Sequence, residues 1–227
     1  KVNDKWLNHL KIFAHLSHMK QSLFLLSLIT SCLISCAQMN KTSPANNSPE
    51  TNNNKVICGA ERMPVYLPML KGKKVAVFAN QTSMVNKTHL VDTLISSGIN
   101  VVKIFGPEHG FRGDADAGEH VGDEKDKKTG IPVVSLYGNH KKPTAEDFKG
   151  VDVLVYDIQD VGVRFYTYIS SFEYFLEAAL ENHKPLMILD RPNPNGFYVD
   201  GPVLDMKFKS FIGMQPIPIV YGMTIVE

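Results

Sequence analysis

The sequence predicts an α/β protein: a Rossmann-like, mainly parallel sheet with helices on both faces, followed by the start of a second, smaller α/β domain that is cut off. Three observations carry this expectation. Five short apolar runs, at 75–79, 101–105, 131–136, 151–156 and 186–189, alternate with stretches of helical period. Polar residues able to do chemistry cluster just after those runs, where an open parallel sheet binds its ligands. Beyond Asp190 the texture turns to Pro and Gly, in RPNPNGFYVDGPVLD and QPIPIVYG, which reads as a crossover out of the first domain.

In chain order, the folded part begins well after residue 1. Residues 1–18 precede a Met and read as an upstream segment from a misassigned start. Residues 19–36, MKQSLFLLSLITSCLISC, combine a Lys, an apolar run and Leu33-Ile34-Ser35 before Cys36, the form of a lipoprotein signal peptide. The run is shorter than the roughly 20 apolar residues that a membrane span needs, so Cys36 is expected to become the lipidated first residue, the alternative being an uncleaved anchor. Either way the remainder is expected in the cell envelope, tethered to membrane. Residues 37–55 are a polar linker with too little apolar surface to fold. A Rossmann-like catalytic domain over 56–205 and the opening of a truncated C-terminal domain over 206–227 complete the organisation.

Two helices stand out inside the domain. Leu90, Val91, Leu94 and Ile95 share one face after Thr88 and stop at Gly98, a natural terminator. Phe172, Phe175, Leu176, Ala179 and Leu180 form a second stripe, and Ser170 with Glu173 has the spacing of a capping box, so Glu173 reads as a cap before it reads as a catalyst. The 227 residues are 44% hydrophobic and 21% charged with a net charge of +1, an ordinary globular balance. No basic run is present to neutralise a phosphate backbone, which argues against nucleic acid as a partner. Of three cysteines only Cys58 falls in the folded part, so no internal disulfide is expected there.

The strand ends bring Glu108, His109, Arg112, Tyr137, Asp157, Gln159, Asp160, Arg164, Tyr166, Asp190 and Arg191 onto one rim. Carboxylates exchange protons, arginines hold anions as a fork, and tyrosines and Gln159 suit sugar hydroxyls and rings. A structural alternative stands beside each aspartate, because Asp at a strand end often caps a helix or pairs with Arg. Glu108 is different in context: Gly106, Pro107 and Gly110 shape a tight turn that presents its side chain. The loop ANQTSMVNKT after the first run has no glycine, which disfavours a nucleotide site. His109 and His120 with Asp114, Asp116 and Glu119 fit no metal-ligand spacing, so no metal and no cofactor is expected. No Gly-x-Ser-x-Gly elbow occurs, and Cys58 lies before the first strand.

At GPEHGFRG, IPVVSLYG, VDVLVYDIQDVGVRFYTYIS and LDRPNPNG, in this order, the chain resembles the exo-β-N-acetylmuramidase family of peptidoglycan hydrolases over residues 56–227. The resemblance implies a Rossmann-like N-terminal domain, a smaller C-terminal domain and a cleft between them. It also implies release of terminal non-reducing N-acetylmuramic acid from peptidoglycan fragments. On that reading Glu108 is the proton donor, and Arg112, Arg164 or Arg191 holds the lactyl carboxylate. Asp157, Asp160 or the sugar's own acetamido group takes the second role, with His109, Tyr137, Gln159, Tyr166 and Asp190 around the substrate. Two positions depart from the family pattern: Tyr221 stands where His is usual, and Val226 where Gly is usual. A non-catalytic surface lipoprotein that binds envelope sugars through the same rim is the alternative.

Overall fold

The computed structural model describes residues 56–113 and 124–227. The expected upstream segment, signal peptide, Cys36 and linker lie outside the described residues, as do Asp114, Asp116, Glu119 and His120. The elements are α1 (Met63–Leu70), β1 (Lys74–Ala79), β2 (Met84–Val85), β3 (Thr88–His89), α2 (Leu90–Ser96), β4 (Asn100–Gly106), β5 (Glu124–Lys125), β6 (Pro132–Ser135), β7 (Val153–Asp157), α3 (Tyr168–Glu181) and β8 (Leu186–Ile188). All five expected strands are present, each shifted by at most two residues at either end.

The sheet runs β5-β6-β4-β1-β7-β8, with β2 and β3 forming a separate small hairpin. Pairs β1·β4, β1·β7, β4·β6 and β7·β8 are parallel, and only the short edge strand β5 is antiparallel to its neighbour. The chain steps outward from β1 to β4 and β6, then returns to β7 on the other side. That reversal puts the ligand-binding crevice of such a sheet beyond the carboxyl ends of β1 and β7.

Strand alternation divides the core into two layers. Val75, Val77, Ala79, Val153 and Val155 face Tyr66, Leu70, Leu90, Val91 and Leu94 of α1 and α2. Ala76, Phe78, Leu154 and Tyr156 face Phe172, Phe175, Ala178 and Ala179 of α3. Helices therefore cover both faces, as the apolar runs require, since a parallel strand buried on both sides cannot alternate with polar residues.

The helix ends hold two differences from expectation. α2 is capped by the His89 ring, whose Nδ1 accepts from Val91 N at 3.2 Å, and Gly98 takes φ 77° to end it. α3 begins at Tyr168 with Thr167 as its N-cap, so Ser170 lies inside the helix and the expected box with Glu173 does not form. The reason is burial: Ser170 is 1% exposed, turned into the core from the first turn. A reciprocal box does form later, where Thr224 N donates to Glu227 Oε2 at 2.8 Å and Glu227 N to Thr224 Oγ1 at 3.4 Å. Residues 206–227 have little regular structure, yet Tyr221 and Ile225 are buried, the latter in the α3 layer.

Candidate active site

Glu108 sits two residues past the end of β4. Pro107 O accepts from Gly110 N at 2.9 Å, and His109 and Gly110 take φ 68° and 76°, closing the tight turn that the glycines foreshadow. A Cβ at Gly106 would stand 3.0 Å from Phe111 N, so the turn folds back on its own strand. The result lifts Glu108, half-exposed, above the carboxyl edge of the sheet. The Tyr137 hydroxyl, from the loop after β6, is hydrogen-bonded to Glu108, and this bond first, then desolvation and the carboxylate's charge, pushes the phenol's pKa up.

Asp157 behaves quite differently. It is still inside the β7 ladder, paired in register with Ala79, and its side chain is fully buried on the α1–α2 side of the sheet. Arg191 grips it as a fork, with Nε to Oδ1 at 2.6 Å and Nη2 to Oδ2 at 2.9 Å, and also donates to Met84 O at 3.0 Å. Burial raises the Asp157 carboxyl and the Arg191 charge opposes that rise without cancelling it. Asp157, expected as a proton-exchanging group, and Arg191, expected as a holder of the substrate's carboxylate, are thus bound to each other, with the Asp157 side chain 0% and the Arg191 side chain 8% exposed.

Asp160 is also enclosed, at 4% exposed. Its Oδ2 accepts from Gly162 N at 2.7 Å and from the Tyr221 hydroxyl, while Oδ1 is buried with no hydrogen-bond partner among the described residues. Burial holds this carboxyl above the ordinary range, against the hydrogen bonds from Tyr221, Gly162 and Val161. The same bond pushes the Tyr221 phenol up, after burial itself.

The remaining candidates divide between scaffold and surface. Arg112 is drawn away from the rim by Asp126, at 2.9 Å from Nη2, and Asp92, at 3.3 Å from Nη1, and it lies over the Phe111 ring. Burial works against the Asp126 charge, but Arg112 and Thr129 hold its carboxyl down at about 2. Arg112, expected as a fork for the substrate's anion, meets two carboxylates of its own chain. Arg164 donates to the carbonyls of Pro202, at 3.2 Å, and Ile217; among the described residues it makes no ion pair, unlike Arg112 and Arg191. Gln159 bridges Asp160 O and Pro192 O at 2.7 and 2.9 Å. Asp190 is turned back onto Arg191 N, at 3.0 Å, and its own carbonyl receives Gly59 N at 2.8 Å. Tyr166 is 53% exposed beside Phe165.

Two strand-end residues of the site and one helical one were not among the expected set. Asn80 and Gln81 follow β1 directly, and both lie against the Tyr168 hydroxyl in the first turn of α3. Burial raises the Tyr168 phenol, the Glu108 charge raises it further, and the two amides favour its ionised form. Asn80 and Gln81 stand where the rule that found Glu108 also points, immediately beyond a parallel strand. Among the described residues no three His, Cys, Asp or Glu side chains are grouped to hold a metal.

Comparison with known proteins gives this geometry a family. Residues 75–227 match the family described as "Exo-beta-N-acetylmuramidase NamZ, N-terminal". A curated relative from Bacillus subtilis (strain 168), named peptidoglycan beta-N-acetylmuramidase NamZ, is 48% identical over 192 residues, covering 81% of this chain and 46% of the relative. Two crystal structures of DUF1343 family proteins from Bacteroides fragilis also align. One is 51% identical with a TM-score of 0.66 over 74% of this chain and 44% of that one. The other is 42% identical with a TM-score of 0.67 over 74% and 43%. The chain thus spans about half the length of the relatives it matches. With a matched stretch that takes in β1 through the 206–227 segment, the chain belongs to the family of the exo-β-N-acetylmuramidase NamZ N-terminal domain.

Proposed function

We propose that this chain supplies the general-acid side of a glycoside hydrolase that releases terminal non-reducing N-acetylmuramic acid from peptidoglycan fragments. One observation carries the reading. Of the four rim carboxylates, Asp157 is locked to Arg191, Asp160 is enclosed under Tyr221, and Asp190 is turned onto its own backbone. Glu108 stands on a half-exposed turn with a phenol beside it. Breaking a glycosidic bond through an oxocarbenium-like state needs a proton delivered to the leaving oxygen, and a carboxyl on such a turn can deliver it. The name of the Bacillus relative supports the same chemistry and substrate.

The second role falls away from the aspartates for the same reason. With Asp157 and Asp160 enclosed, the group best placed to attack the anomeric carbon is the sugar's own acetamido oxygen, as in substrate-assisted glycosidases. The lactyl carboxylate that marks N-acetylmuramic acid is an anion, and Arg164, without a carboxylate partner among the described residues, has a charge to meet it. The chain is read as an envelope lipoprotein anchored through Cys36, with a C-terminal domain closing the cleft over the rim.

The test uses the protein at the full length of its relatives. Incubated with a disaccharide bearing non-reducing N-acetylmuramic acid, it releases the free monosaccharide. Saturable binding of the disaccharide with no release would instead establish a sugar-binding lipoprotein.

A further inference from the structure

The turn that carries Glu108 is held at both ends, by different means. At its entry the chain is still in the sheet: Gly106 pairs in register with Ser135, and Leu136 N donates to Gly106 O at 2.8 Å. At its exit no strand pairing continues, and the two residues after Gly110 take over. Phe111 is 3% exposed in the layer of α1 and α2, its ring edge-on to His89 at 4.7 Å. The Arg112 guanidinium lies 4.6 Å from the centre of the same ring. All three of its nitrogens are engaged. Nε meets Asp126 Oδ1 at 3.0 Å, Nη2 meets Asp126 Oδ2 at 2.9 Å and Asp92 Oδ1 at 3.3 Å, and Nη1 meets Asp92 Oδ2 at 3.3 Å. Asp126 is the firmer of the two carboxylates. Its Oδ2 also receives Thr129 N and Oγ1 at 3.0 and 2.6 Å, and its backbone is tied on both sides, N to Ile131 O at 2.9 Å and O to Gly130 N at 2.7 Å. Every side-chain partner of Asp126 is a donor, so the site requires an ionised acceptor.

We propose that Asp126 is a positioning residue for Glu108: acting through the Arg112 fork, it fixes the exit of the turn and so the direction in which Glu108 is presented. The assignment rests on Glu108 being the working carboxyl of the glycosidase reading. Between the ladder and the fork the backbone has soft joints, since Gly106 and Gly110 flank Pro107, Glu108 and His109, and Gly110 takes φ 76°. A turn of this kind keeps one shape only if both ends are fixed, and beyond the Phe111 ring the fork is what fixes the second end. A bidentate guanidinium sets both distance and angle, which a single ammonium contact would not. Asp126 is 5% exposed, so it holds the turn from beneath and transfers no proton.

The test reads the turn directly and needs no catalysis. Gly110 is buried and its N–H closes the turn on Pro107 O at 2.9 Å, so its hydrogen exchange, followed by NMR in the 15N-labelled chain, reports how often the turn opens. Asp126→Asn keeps the shape but sets an NH2 against donors, and should speed Gly110 exchange at least about tenfold, the scale of a lost charge-assisted bond. Ala178→Gly, which weakens α3 on the other face of the sheet, should leave Gly110 exchange within about a factor of two. Unchanged Gly110 exchange in a folded Asp126→Asn chain overturns the proposal, as does an equal acceleration by Ala178→Gly. Should Asp126→Asn fail to fold, Arg112→Lys keeps the charge without the fork and should speed Gly110 exchange in the same sense; no change overturns the proposal equally. At the relatives' full length, Asp126→Asn should cut kcat on the order of tenfold with KM within about a factor of two, the mark of a misplaced acid in a site that still binds. The parent's kcat in a variant whose turn opens faster overturns the positioning role. Absence of any release by the unsubstituted protein would refute the glycosidase reading, while the exchange rates would still decide whether the fork holds the turn.

Discussion

Replacing Asp157 with Asn should unfold this domain far more readily than it should impair chemistry. The carboxylate is fully buried and the Arg191 side chain is 8% exposed, and they meet in two charge-assisted bonds of 2.6 and 2.9 Å. The amide of Asp157→Asn would keep the shape but leave a buried guanidinium with no counter-charge and an NH2 pressed against one of its donors. Breaking a buried pair from one side costs about 3–5 kcal/mol, a large part of the roughly 5–15 kcal/mol that holds a domain together. For a domain of this size that is a fall of about 6–20 °C in unfolding midpoint. The assay is thermal and urea unfolding followed by circular dichroism at neutral pH, on Asp157→Asn and on the double variant Asp157→Leu with Arg191→Met. The double variant should recover most of the loss, because apolar side chains of similar volume need no counter-charge. A single variant within about 1 kcal/mol of the parent, or a double variant no better than the single, would refute the structural role and return Asp157 to the list of groups facing substrate.

The other predictions follow from the same geometry. At the relatives' full length, Glu108→Gln should lower release of N-acetylmuramic acid by at least about a hundredfold while leaving the circular dichroism spectrum and unfolding midpoint unchanged; a folded variant with the parent's rate would remove Glu108 from the mechanism. Asp160 carries a raised pKa in the folded state, so the fold binds its proton more tightly than the unfolded chain does. Its contribution is greatest below the ordinary carboxylate value and is lost as pH rises through the folded one. The stability of the parent relative to Asp160→Asn, measured by urea unfolding from about pH 4 to about pH 7, should therefore fall with rising pH; a difference that is flat or rises would contradict the burial argument. Cys36→Ser, expressed with its native leader, should move the protein from the membrane to the soluble fraction, and unchanged fractionation would point to an uncleaved anchor.

The fold was legible because its signal is redundant. The central strands β1 and β7 are buried on both faces, so each must be an unbroken apolar run, and five apolar runs in sequence leave few arrangements open. What the sequence hid were elements whose local chemistry contradicts their state. α1 contains Pro64 and Pro68, residues that normally argue against a helix; Pro64 sits in the first turn, where its missing N–H costs nothing, and Pro68 comes only two residues before the end. β2, β3 and β5 are two residues each, too short to show a period.

The site was legible as a rim but not as a set of roles, and strand parity explains the difference. Asp157 alternates with Val153 and Val155, so once those valines face α1 and α2 the aspartate must enter the same layer, where only a buried partner such as Arg191 can keep it. Glu108 lies two residues beyond its strand, on a turn that has left the ladder, and is released from that constraint. A residue's distance from the last paired strand position therefore separates enclosed side chains from accessible ones better than its charge does. Applied to β1, which ends at Ala79, that rule places Asn80 at the boundary and Gln81 beyond it. Asn80 is accordingly tied down, its N donating to Ser83 Oγ, its Oδ1 accepting from Thr82 and its carbonyl receiving His89 Nε2. Tyr168 escapes the rule because it enters from a helix, whose first turn reaches the rim only after α3 has docked on Phe78 and Tyr156, a contact no local pattern announces.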